Sequence, residues 1–161
     1  MIGKLAAIAG TILYSNIVEW AWHRWPMHSK WGGNVYRRHK HHHPATWTPG
    51  MKDDFRLALT PPVLAIFSVH AIAAALIGRR KRRWPVATVV GTMAAYLALM
   101  DYIHKWQHAG AKTKNLLLRA VRRYHMAHHA YDRTRKDGFE RSAKFNIWLP
   151  LADAIFGTLR V

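Results

Sequence analysis

The chain has no cysteine, only eight acidic residues, and almost no charge in three long segments. Without a thiol it can form neither a disulfide nor a thiolate metal site, so any metal must be held by imidazole and carboxylate. The shortage of acid leaves 25 Lys and Arg against 8 Asp and Glu, a formal net charge of +17 in 161 residues. So basic a balance suits nucleic acid, an anionic membrane surface or an acidic partner. The length fits a single domain, residues 1–161.

What is present is segregated. The three apolar stretches run from Ile2 to Val18, Leu57 to Gly78 and Trp84 to Ile103. Each approaches the roughly 20 residues that a helix needs to cross a hydrocarbon core. Trp20, Trp22, Trp25 and Trp84 stand where an interfacial aromatic belt would place them. Pro61 and Pro62 fit the first turn of the second stretch. Lys4 ahead of an apolar run resembles a signal peptide, but no small-x-small cleavage site follows, which favours a retained span. Soluble DNA-binding domains do not carry three membrane-length segments, so no nucleic-acid partner is expected.

Three spans fix sidedness. The second and third make a hairpin joined by Arg79–Arg83, which puts whatever follows the first span and the third on one membrane face. Six of the 25 cations (Lys4 and the hairpin run) fall on the opposite face, so the positive-inside tendency puts the shared face in the cytoplasm. Beyond the third span the pattern predicts a basic helix over Lys112–Ala130. An amphipathic tail, "KFNIWLPLADAIFGTLR", then lies on the membrane or caps the soluble face. The fold class expected is all-α: an integral membrane helical protein with about three to four transmembrane helices and a histidine-rich cytosolic helical cap.

The histidines concentrate on that face. Ten of twelve fall into four clusters: His23-x4-His28, His39-x2-His42-His43, His104-x3-His108 and His125-x2-His128-His129. Residues three and four apart share a helical face, so each of the last three clusters converges. The x4 spacing does not, but Pro26 lies between and can bend the helix so that His28 swings back. Each half of the chain thus supplies five imidazoles, which suits two metals. Glu19, Asp101 and Asp132 sit close enough to the clusters to accept the second ring N–H of a ligand histidine. His41 faces away from its neighbours, and His70, inside the second stretch, reads as a hydrogen-bonded buried residue.

This spacing, interrupted by an apolar hairpin, resembles the fatty acid hydroxylase / sterol desaturase superfamily of membrane histidine-box di-iron oxygenases. The tail is similar to that superfamily's closing signature, here Asp153 and Phe156-Gly157-Thr158. Small size and "YHMAHHA" are shared with bacterial carotenoid hydroxylases. Those typically carry an x4 third box, whereas His104-x3-His108 and the tail fit the fatty acid and sterol branch.

The resemblance implies an enzyme that uses O2 to hydroxylate or desaturate an unactivated C–H bond of a lipid. It implies two iron ions, for which zinc can substitute in a purified sample, with O2 as co-substrate. By the family pattern the ligands are His23, His28, His39, His42, His43, His104, His108, His125, His128 and His129. A lipid or carotenoid would enter between the spans, past Phe67, Tyr96, Leu99 and Met100. Electrons would come from a separate ferredoxin- or cytochrome-type donor. The basic face, with Arg119, Arg122, Arg123, Arg133, Arg135 and Lys136, suits an acidic donor or anionic lipid. Two rivals stand beside this reading: a carotenoid β-ring hydroxylase, and a non-catalytic membrane metal-binding or structural subunit. The second would yield no oxidised lipid even with two irons bound.

Overall fold

The N-terminal apolar run meets no proline before Pro26, and it forms one helix, α1 (Ile2–Trp22), 21 residues long. At about 1.5 Å per residue that is roughly 31 Å. The structure, a computed structural model, describes residues 2–43, 67–69, 71–72, 84–109, 113–130, 134 and 136–159. Among these there is no β-strand.

At Pro26 the helix does not stop. It widens into a π-helical turn, His23–Met27, followed by a short 3-10 turn, Lys30–Gly32, and α2 (Asn34–His42). Pro26 has no N–H to give a helical ladder, and the widened turn absorbs the extra residue that the x4 spacing inserts. The His23 and His28 rings end 5.2 Å apart, as the proline predicts. Gly32 must be glycine: a Cβ there would sit 1.8 Å from the Pro26 carbonyl oxygen.

The third apolar stretch is helix α3 (Trp84–His108). Its segment Val86–His108 is, among the described residues, the one helix long and apolar enough to cross a membrane, with mean hydropathy 1.5. The basic segment forms α4 (Leu116–His129), starting later than the pattern suggests because the Asn115 side chain accepts the Leu118 N–H at 3.1 Å and caps it. A short helix, α5 (Leu151–Ile155), follows. Of the second apolar stretch only Phe67–Val69 and Ala71–Ile72 are described, and they are helical. Pro61, Pro62, His70, the Arg79–Arg83 run and Asp132 lie outside the described residues.

The tail is not a loose surface segment. Phe145, Asn146, Ala152 and Asp153 are fully buried against α1. Asn16, a polar residue inside the apolar run, donates to Tyr96 Oη on α3 at 2.8 Å and to Leu149 O at 2.6 Å, and accepts from Ala152 N at 2.7 Å. Asn146 donates back to Asn16 O at 3.0 Å. Buried polar groups must find one another, and here they pin tail, α1 and α3 together. This changes the role of Trp20. Instead of joining an aromatic belt it is buried, stacked 4.3 Å from Phe156 and donating to Thr158 Oγ1 at 2.9 Å.

Candidate metal centre

The ten clustered histidines meet in two groups. His23, His28, His39, His43 and His128 form one, and His42, His104, His108, His125 and His129 the other. Within each group one ring nitrogen per residue lies within 4.8 Å of all the rest. Histidines from before and after the second apolar stretch therefore meet in one place.

The groups do not follow the two halves. Each three-histidine box splits: His39 and His43, four apart, share a face, while His42, about 100° round the helix from His43, points to the other group. On α4, His125 and His129 stay together and His128 crosses. The expectation that all three imidazoles of a box converge on one point is thus corrected by helical geometry.

Ring orientation in the first group is set by backbone carbonyls. The Nδ1–H of His28 donates to Phe139 O at 2.7 Å, that of His128 to Ala143 O at 2.7 Å, and that of His23 to Phe145 O. A carbonyl only accepts, so in each ring the proton sits on Nδ1 and Nε2 is left with a lone pair. Yet His28 Nε2 lies 3.2 Å from His128 Nε2, and His39 Nε2 lies 2.9, 3.1 and 3.1 Å from those of His23, His28 and His43. Two lone pairs facing at 3.2 Å repel unless a cation lies between them. Burial first, then neighbouring imidazoles, hold His23, His28, His39, His43 and His128 below the ordinary histidine range, so that cation is not a ring proton.

A metal fits. Nitrogens about 2.1 Å from a common centre and about 90–110° apart are separated by about 3.0–3.4 Å. The second group shows the same spacing: His42–His104 3.3 Å, His104–His108 3.1 Å, His108–His125 2.9 Å and His125–His129 3.0 Å between Nε2 atoms. Here the outer support differs, since Nδ1 of His125 and of His129 has no hydrogen-bond partner among the described residues.

The carboxylates take other roles than the spacing suggested. Glu19 accepts from Tyr96 Oη–H and Ile147 N–H, and Asp101 pairs with Lys105 at 2.6 Å; no histidine bond is found for either among the described residues. The acid that matters is Asp153, fully buried in the tail. It accepts from Phe145 N at 2.9 Å, Asn146 N at 2.7 Å, the Thr158 hydroxyl at 2.5 Å and the Tyr124 hydroxyl. It thereby fixes the segment whose carbonyls orient His23 and His128. Gln107, buried on α3, ties the tail to α3 and α4 by donating to Ile147 O at 2.9 Å and Val121 O at 3.3 Å. Asn16, Tyr96 and Gln107 are missed by a search for metal ligands; their signal is a polar side chain in or beside an apolar run.

A cavity between α1 and α3 ends at the histidines. It is lined by Phe67, Tyr96, Leu97 and Met100 with Ser15, Val18, Glu19, Trp22 and Asp101, and by His23, His39 and His104. Of the four lining residues expected from position, Phe67, Tyr96 and Met100 are there; Leu99 is not among them and stands 43 % exposed. His41 is exposed, away from both groups.

Helices throughout the described residues, and two five-histidine groups, one buried and one partly so, beside an apolar cavity, fit a metal-dependent enzyme of the oxygenase type. A sequence profile of the fatty acid hydroxylase family matches residues 8–158, nearly the whole chain, and the protein belongs to that family. Neither a curated protein nor a solved structure matches it.

Proposed function

We propose that the protein is an integral-membrane di-iron oxygenase that introduces a hydroxyl group, or a double bond, at an unactivated C–H position of a lipid. It uses O2 and electrons from a separate ferredoxin- or cytochrome-type protein. The observation that carries this reading is the facing Nε2 lone pairs of His28 and His128, in a histidine group whose His23 and His39 line an apolar cavity. His23, His28, His39, His43 and His128 would hold one ion, and His42, His104, His108, His125 and His129 the other. Bound iron supplies the O2 reduction and C–H oxidation that no side chain of this chain can perform.

The chain's own contribution is positional. Carbonyls of Phe139, Ala143 and Phe145 keep three imidazoles in the tautomer that presents Nε2 inward. Met100, Leu97 and Val18 hold an acyl or ring carbon beside the histidines and keep water out. Exposed Arg119, Arg123 and Lys136 suit an acidic donor. The span count of three to four and a cytoplasmic metal face remain part of this proposal, supported by the apolar α3 and by the charge bias of the sequence.

The test is lipid mass spectrometry of cells expressing the intact chain or His128→Ala, together with a donor protein. A lipid gaining one oxygen or losing two hydrogens with the intact chain alone is expected. Identical lipid profiles with iron bound would sink the reading.

A further inference from the structure

The first histidine group is flanked by two aromatic rings that hold no metal. The buried Phe139 ring stacks on His28, centroids 4.2 Å and planes 23° apart, and meets His43 edge-on at 4.8 Å. Tyr36 of α2 packs edge-on against Phe139, with 5.5 Å between centroids. Its hydroxyl donates to Glu140 Oε1 at 2.7 Å. Glu140 Oε2 is buried and has no hydrogen-bond partner among the described residues, so the carboxylate is poorly solvated and the readier to take up a proton. Lys40, exposed on the helix that carries Tyr36, donates to Tyr36 Oη at 3.3 Å. Its ammonium lies 5.6 Å from the centroids of both rings. A continuous path thus runs from His28 through Phe139 and Tyr36 to Lys40.

A ring that merely fills space needs neither a hydroxyl nor a base. A phenol that loses an electron becomes strongly acidic, so it is oxidised most readily where a base within hydrogen-bond reach takes the proton at the same moment. Lys40 makes that coupling necessary: its charge opposes a positive charge on either ring, so an oxidised Tyr36 must be the neutral radical, its proton on Glu140. The other aromatic path from this group runs from His23 to Phe145 and Trp20, at 5.8 and 6.3 Å, and ends on an indole whose N–H meets the Thr158 hydroxyl, which is no base. We propose that Tyr36 is a redox relay of the first group. It yields one electron, across Phe139, to O2-oxidised iron held there, while its hydroxyl proton passes to Glu140. The neutral tyrosyl radical is restored by one electron from the external donor and the proton returned by Glu140. This gives the oxidised site an outlet when no lipid fills the cavity. The inference rests on the di-iron oxygenase reading.

The experiment mixes the full-length, ferrous-loaded protein, in detergent with neither lipid nor donor added, with O2 or separately with hydrogen peroxide. Samples are freeze-quenched and read by EPR, with and without deuterated tyrosine, and the radical is counted per iron bound. Wild type should give a radical whose spectrum narrows on tyrosine deuteration. Tyr36→Phe, which keeps the ring contact, should abolish it. Glu140→Gln, whose amide oxygen still accepts the hydroxyl but takes no proton, should slow its formation roughly a hundredfold, the low end of what a positioned base contributes. A hydrogen bond that only tied α2 to Glu140 would leave the rate per iron unchanged in that variant. No tyrosyl radical with either reagent overturns the relay, whatever lipid product the enzyme forms; so does a radical on tryptophan, one that survives Tyr36→Phe, or an unslowed Glu140→Gln. A Tyr36 radical with peroxide but not with O2 would leave the relay standing and remove the oxygenase reading instead.

Discussion

A neutral imidazole has two nitrogens and one proton, so holding the proton on one side decides what the other side can do. In the first group three carbonyls hold that proton outward, and the inward lone pairs meet around His39, whose Nε2 is within 3.1 Å of those of His23, His28 and His43. His39→Ala should therefore empty the first group and, by ligand loss, lower bound iron from two to about one per chain with loss of product. His41→Ala, on the exposed side of the same helix, should change neither. Metal analysis of the two purified variants checks this, and equal iron in both would remove His39 from the ligand set. At this scale the sequence is highly legible, because imidazole is chemically distinctive and its helical spacing shows which rings can meet. The carbonyls that orient those rings are illegible in it, since every residue carries one.

Between residues and whole fold stands the segment 142–146. Lys144 has φ +63°, in the left-handed region that side chains other than glycine seldom adopt. The reversal lets the flanking carbonyls serve different rings, Ala143 O meeting His128 and Phe145 O meeting His23, while Lys144 N donates to Thr158 O at 3.0 Å. Holding a lysine there costs about 1 kcal/mol, which Gly would relieve while losing about as much through its freer unfolded state. Lys144→Gly should thus leave Tm and iron nearly unchanged, whereas β-branched Lys144→Val should lower stability by roughly 1–2 kcal/mol and reduce iron content. Asp153→Asn tests the other side of the clamp. An amide offers one acceptor oxygen and an NH2 to the four donors that the carboxylate now satisfies, so about 2–4 kcal/mol of stability should go. Thermal unfolding with parallel metal analysis reads both, and an unaffected Asp153→Asn protein would dismiss the clamp. The elements themselves follow from the sequence: apolar run, Pro26 bend, Asn115 cap. The docking of the tail does not, because its interior partners are single polar residues: Asn16, in a run whose hydrophobicity hides it, and Glu19, which the spacing assigns to a histidine instead.

Over the whole molecule the crossing ligands matter most. His42 belongs to the half before the hairpin and joins four rings from after it; His128 does the reverse. Ions held this way clasp the two halves, so their binding energy is also folding energy. The two sites are not equal, however. The first group is buried at all five positions, and three of its rings are braced by carbonyls. In the second group His104 and His108 are half-buried, and the Nδ1 atoms of His125 and His129 lack partners among the described residues. Such bracing is worth about 10–100-fold in metal affinity. A chelator should accordingly remove iron in two phases, the second group yielding first. Loss of both ions should lower Tm by on the order of 10 °C, the shift expected when a ligand at about a thousand times its Kd is withdrawn from a domain this size. His129→Ala should abolish the fast phase and His28→Ala the slow one, each followed by iron analysis against time. Release in a single phase from the wild-type protein would mean that the carbonyl braces do not distinguish the sites. The asymmetry would then be one of hydrogen bonding without consequence for the metals.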